Sequence, residues 1–333
     1  MVITRVFHES YVYSYVSILL SRILTKTDFV ELLDSKTIDE AIKVISNKPI
    51  GTKLYTLVLE KNIELKKINE AINNYIIERH NDLYDRISSR HRRYLEPIES
   101  LFDSFNIVLF YSNLVRGCKA EYLIPAGKIF RMKVDLEKAK NIDELIDILL
   151  GKGLSIYIDT LKKYTGDPIK LFYTLTKKIL PSSKPLDIPY RRLLGFIHDL
   201  LWILMCSASG EIPKEVIPNF YGLSINEFNN VCLSKSLEDI PAILQDGYYR
   251  NFSEILRYTN KISIGSGSLF LGFILYLSDL TKDLLTPYTA HPYVRYYILI
   301  LSEGILLNTC LTAIATGMFV KELKDLINEW WVL

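Results

Sequence analysis

Two carboxylates one helical turn apart, a histidine beside an aspartate, a glycine-rich turn and four cysteines are the parts of this chain that chemistry would use first. NDLYD sets Asp82 and Asp85 on one face of a helix, a spacing that can hold a divalent cation. No second acidic cluster completes such a site, and a solvated face is the plainer reading. His198 and Asp199 offer a base and its orienting carboxylate, but adjacent helical residues point about 100° apart and no nucleophile motif accompanies them. A hydrogen-bonded core histidine is expected instead. Ser209 in CSASG lacks the first glycine of a nucleophile elbow. SIGSGSLFLG carries Gly265, Gly267 and Gly272 but neither the lysine nor the leading strand of a phosphate loop, so it reads as a turn capped by Ser268. Cys118, Cys206, Cys232 and Cys310 have no C-x-x-C spacing and read as isolated buried thiols. Catalytic residues, cofactors and metals are therefore not expected.

The elements that carry these residues are long apolar helices. PYVRYYILILSEGILLNTCLTAIATG, Pro292 to Gly317, has the length of a membrane span. Glu303 near its middle and Arg295 near its start each cost roughly 2.5 to 3.5 kcal/mol at a bilayer centre, and Asn308 adds a further polar group. Arg295, Ser302, Thr309 and Thr316 recur every seven residues and form one polar stripe. That pattern predicts a helix buried on most sides and wet or paired along one.

Its punctuation recurs. Glu96 to Gly117 begins with Pro97, Ile188 to Gly210 with Pro189, and the third stretch with Pro292. Proline suits the first turn of a helix and glycine the left-handed residue that ends one. Glu99, Asp103 and Arg116 in the first copy, and Arg191, Arg192, His198 and Asp199 in the second, oppose a lipid environment. A second echo, SKTIDEAIKVI from Ser35, AKNIDELIDIL from Ala139 and SKSLEDIPAIL from Ser234, is a helix start with acidic residues in the first turn, written three times. The expectation is an all-α fold of three related helical units, 1–117, 118–210 and 211–333, with pseudo-three-fold symmetry. The alternation in YLIPAGKIFRMKV, from Tyr122, stands without a hairpin partner.

Composition fits. At 333 residues and 49% hydrophobic, the chain can bury a large core, and a net charge of +2 supplies no field for nucleic acid. MVITRVFHES lacks the apolar run of a secretory signal, so a cytosolic face is expected. The basic run Arg86 to Arg93 reads as a charged loop or a docking surface for an acidic partner.

A family resemblance rests on ordered motifs along nearly the whole chain. YVYSYVSILLSRILTKTDFVELLDSKTIDEAIKVI, then NLVRGCKAEYLIPAGKIF with its Pro125 and Gly127 turn, then SEGILLNTCLTAIATGMFVKELKDLI resemble the C subunit of archaeal A-type ATPases, the counterpart of the d subunit of the V-type ATPase. Tyr15 and Ser17 stand where the family often has arginines, and Ile305 where it has a second acid. The resemblance implies a funnel-like arrangement of the three units and a non-catalytic central-stalk component of an ATP synthase or ATPase. Such a component would lie peripherally on the cytoplasmic side of the cell membrane, join the central shaft to the proteolipid ring, and serve ion transport. Glu303, Asn308, Asn113 and Arg116 are then expected to organise helix ends through backbone groups or a counter-charge such as Arg295. An all-α terpenoid-type enzyme would instead need convergent acidic clusters, and a polytopic membrane protein a protein-lined interior for Glu303 and Asp199.

Overall fold

The computed structural model describes residues 11, 13–60, 63–117, 123–163, 167–182, 188–209, 222–234, 237–262, 266–282 and 291–333. It is all-α. In chain order the helices are α1 (13–20), α2 (Lys26–Leu33), α3 (Ile38–Val44), α4 (Pro49–Leu59), α5 (Leu65–Arg86) and α6 (Ser89–Arg116). There follow α7 (Gly127–Arg131), α8 (Lys133–Leu136), α9 (Ile142–Gly151), α10 (Ser155–Lys163), α11 (Pro168–Ser182), α12 (Ile188–Ser209) and α13 (Ile225–Leu233). The last are α14 (Ile240–Ile243), α15 (Arg250–Ile262), α16 (Ser266–Leu280), α17 (His291–Thr316) and α18 (Val320–Trp330). The lone alternating stretch from Tyr122 contains α7 and α8, and no strand occurs among the described residues.

The local signals for helix starts act as expected in two of the three repeats. Thr37 caps α3 by accepting from the Glu40 N–H, and Glu40 reaches back to the Lys36 N–H at 2.9 Å. Asn141 caps α9 from the Glu144 N–H while Glu144 bonds the Lys140 N–H at 2.8 Å, which is the same reciprocal arrangement. In the third copy the aligned residues Leu237–Asp239 form a 3-10 turn, and the following helix, α14, is four residues long. Pro241 stands where the others have Ile42 and Ile146, and its missing N–H denies the α-helical bond there.

Pro189 and Pro292 are second residues of α12 and α17, as read from the sequence. Pro97 is not a start: α6 begins at Ser89 and carries Pro97 in its interior. The basic run is correspondingly not a loop, since α5 ends at Arg86, Ile87 and Ser88 link it to α6, and the remainder opens α6. Within it His91 is buried against the Tyr293 ring, and the Arg86 guanidinium lies 4.7 Å from the Tyr15 ring centre. Gly117 and Gly317, at φ +67° and +68°, end α6 and α17 as expected.

The chain folds as two compact units by contact, one of residues 1–92 with 240–333 and one of residues 93–239. The expected three-unit division concerns repetition, whereas this grouping concerns which segments pack together. In the first unit α17 packs on α5, α16, α2, α3 and α18, with α15 against α16 and α18. Helices α17 and α5 meet closely at Gly304, where a Cβ would fall 2.5 Å from Ile76 Cδ1. In the second unit an edge-to-face series, Phe105, Phe172, Trp202 and Phe228, joins α6, α11, α12 and α13 at centroid distances of 6.4, 5.0 and 6.1 Å.

Candidate functional site

Buried acids on the long helices are the main polar feature of the core. Glu303 is fully buried in α17, and its Oε1 accepts the Leu24 N–H at 2.7 Å, immediately before the Thr25 cap of α2. Burial pushes its carboxyl up to about 8, with the Leu24 hydrogen bond and Lys48 acting the other way. Of the two kinds of partner expected for Glu303, the helix-end backbone group is the one it meets, and no ion pair with Arg295 forms. Eight residues along one helix separate the two by about 12 Å, so both must look elsewhere. Arg295 is 6% exposed, and its Nε and Nη1 have no hydrogen-bond partner among the described residues. Desolvation lowers its pKa.

Two further acids, Asp103 and the Asp199 weighed above beside His198, do the same work as Glu303. Asp103, on α6, accepts the Ile129 N–H at 2.8 Å, has the Lys128 N–H directed at it, and meets the Tyr157 hydroxyl at 3.4 Å. Burial raises its carboxyl to about 7, against the pull of those backbone bonds. One turn on, Asn106 takes both the N–H and C=O of Ile124 at 2.9 Å each. Gly127 is required in this turn: its φ is +83°, and a Cβ there would lie 2.3 Å from Asp103 Oδ1.

On α12, Asp199 Oδ2 accepts the Gly222 and Leu223 N–H groups at 3.0 and 3.3 Å, just before the Ser224 cap of α13. Its other oxygen meets His198 Nδ1 at 3.3 Å, and His198 Nε2 accepts from the Trp202 indole at 3.0 Å. That tautomer holds both ring nitrogens in structural bonds, and the side chains do touch despite their adjacent positions.

Thus three of the long helices, α6, α12 and α17, each send a buried carboxylate to the backbone at a helix beginning elsewhere in the chain. Among the residues so held, Leu24, Lys128 and Leu223 lie thirteen positions before Thr37, Asn141 and Ser236 of the repeated sequence, and Ile129 and Gly222, which are held as well, lie twelve and fourteen before. The spacing was present in the sequence, but only the gripping contact gives it meaning.

The remaining candidates sit nearer the surface. Asn308 is half-buried, as is Asn113, whose carbonyl accepts the Gly117 N–H at 2.9 Å, and Arg116 is exposed. Along the polar stripe, Ser302, Thr309 and Thr316 each bond a carbonyl four residues back, so the stripe is satisfied largely by its own helix. Ser268 is inside α16 and donates to Asn260 at 2.9 Å, so it does not cap a turn. Asp82 pairs with Arg79 at 2.9 Å, and no metal-holding group of three acids, histidines or cysteines occurs among the described residues. Ser209 closes α12, Gly265 lies outside the described residues, and so does Cys118.

The reading of the cysteines needs correction: Cys206 on α12 and Cys232 on α13 are joined in a disulfide, with Cα atoms 5.6 Å apart, while Cys310 remains a buried thiol. Packing brings together two residues that sequence spacing alone leaves apart. Pro292–Thr316 is long and apolar enough to cross a membrane, yet 72% of its most apolar window is buried inside the fold.

These features define an all-α protein built on long apolar helices whose buried acids bind its own backbone. The family model of the ATP synthase (C/AC39) subunit matches residues 13–304. The chain belongs to that family, and hence with the C and d subunits of the A- and V-type ATPases. No match is found among the curated proteins.

Proposed function

We propose that the chain is the non-catalytic central-stalk component of such an ATPase or ATP synthase. It joins the central shaft to the cytoplasmic face of the proteolipid ring and transmits torque. Family membership over residues 13–304 carries the reading. The use of Glu303, Asp103, Asp199 and His198 as internal ties supports it, because acids bonded to the backbone make a stiff body. Three related units in a funnel with pseudo-three-fold symmetry suit a plug between an elongated shaft and a many-fold ring. The recurring carboxylate contacts support internal repetition. Asn113, Arg116, Asn308 and Arg295 belong to helix ends or contact surfaces in this proposal. The protein lies peripherally on the membrane.

The test is affinity isolation of the native protein from membranes, followed by cross-linking mass spectrometry. Cross-links to both shaft and ring components are expected. Recovery without other ATPase components, or cross-links only to the stationary stalks, overturns the proposal.

A further inference from the structure

We propose that Glu303 is a protonation-controlled latch that holds the segment entering α2 against α17 and releases it when it ionises. Of the three carboxylate contacts, this one joins segments from opposite ends of the sequence, 279 residues apart. The clasp has more than one hold. Leu24 offers its N–H to Glu303 and its C=O to the Trp331 indole at 2.8 Å, Lys26 N–H bonds the Leu333 carbonyl at 2.8 Å, and Phe29 meets Trp331 edge to face at 5.4 Å. These holds are all non-covalent, so side-chain chemistry can open the seam.

Glu303 is fully buried, and its Oε2 has no hydrogen-bond partner among the described residues. As a neutral acid it accepts from Leu24 through Oε1 and carries its proton on Oε2. As an anion it holds one hydrogen bond inside an apolar core, a state that draws in water or separates α2 from α17.

The groups that act on it do not rescue the charge. Lys48, before α4, is committed to Asp28 of α2 at 2.8 Å, and Asp28 repels it. Tyr75 of α5 and Tyr296 of α17 feel its charge, and both phenols are raised, by burial first. On α3, Glu40 and Lys43 are exposed and Asp39 is partly so. On α16, Asp279 pairs with Lys282, and on α18, Lys324 pairs with Asp34 while its other charges stay at the surface. Asp199 differs, since both its oxygens have partners.

The sign follows from linkage. An acid whose folded pKa exceeds its unfolded value contributes stability that is complete below the unfolded value and lost as pH rises through the folded one, here about 8. Hydrogen exchange of the intact protein from pH 6 to 9.5, corrected for the intrinsic pH dependence, reads the latch directly. Protection of α2 and residues 331–333 should fall by up to about tenfold per pH unit above the transition, while α15 of the same unit holds its protection. Glu303→Gln, which cannot ionise, should keep α2 protected throughout. Equal pH dependence in wild type and Glu303→Gln overturns the latch. Should the variant fail to fold, the wild type alone decides, because α2 and α15 losing protection in step overturns it equally.

Discussion

Glu303 and Leu24 are joined by a 2.7 Å hydrogen bond in the core although 279 residues separate them, so the last long helix holds the backbone entering α2. Glu303→Ala removes that acceptor, strands a buried N–H and opens a cavity. A loss of about 2 to 4 kcal/mol in denaturant unfolding is expected. Glu303→Gln keeps shape and acceptor and should lose about 1 kcal/mol or less near neutral pH. Unchanged stability in the alanine variant, with lost coupling in the assembled ATPase, would place Glu303 on a contact surface instead.

Asp103 and Gly127 depend on one another. Gly127→Ala combines left-handed backbone strain with displacement of the Asp103 carboxylate from Ile129, and should cost about 2 to 4 kcal/mol. In a double-mutant cycle with Asp103→Ala the two losses should fall short of additive, since both break the same contact. Additive losses would show that the contact contributes nothing.

The pH dependence of the second unit should carry the mark of Asp103. Its folded pKa is raised from 3.8 to about 7, so its contribution is complete below 3.8 and is lost as pH climbs through 7. Stability of Asp103→Asn relative to wild type should therefore rise across that window. A flat difference between pH 4 and 8 contradicts the assignment.

Arg295→Met should be neutral or stabilising by about 1 kcal/mol, because it replaces a buried guanidinium with unbonded nitrogens by an apolar chain of similar length. A loss of several kcal/mol in thermal or chemical unfolding would reveal a counter-ion for this arginine.

Non-reducing peptide mapping should recover the Cys206 and Cys232 peptides linked. Their separation of 26 residues corresponds to about 3 kcal/mol of chain-entropy stabilisation, so reduction should lower the midpoint of unfolding. Recovery of both as free thiols without reductant refutes the bridge.

Residue types and short spacings were enough to specify local structure. Thr37 with Glu40, Asn141 with Glu144, Gly117, Gly317, Pro189 and Pro292 fix helix ends through contacts within about four residues, and apolar spacing shows which helices must be buried. The same local logic misplaced the start of α6, because Pro97 also fits inside a helix that tertiary packing sustains. Tertiary structure alone decided that Glu303 meets Leu24, that Asp103 and Asp199 are its counterparts, and that Cys206 reaches Cys232, whereas eight residues of one helix already put Arg295 out of reach of Glu303. A buried carboxylate must find some donor, and its residue type announces that need. Which backbone N–H answers depends on how helices 23 to 279 residues apart are packed, and no short-range pattern encodes that.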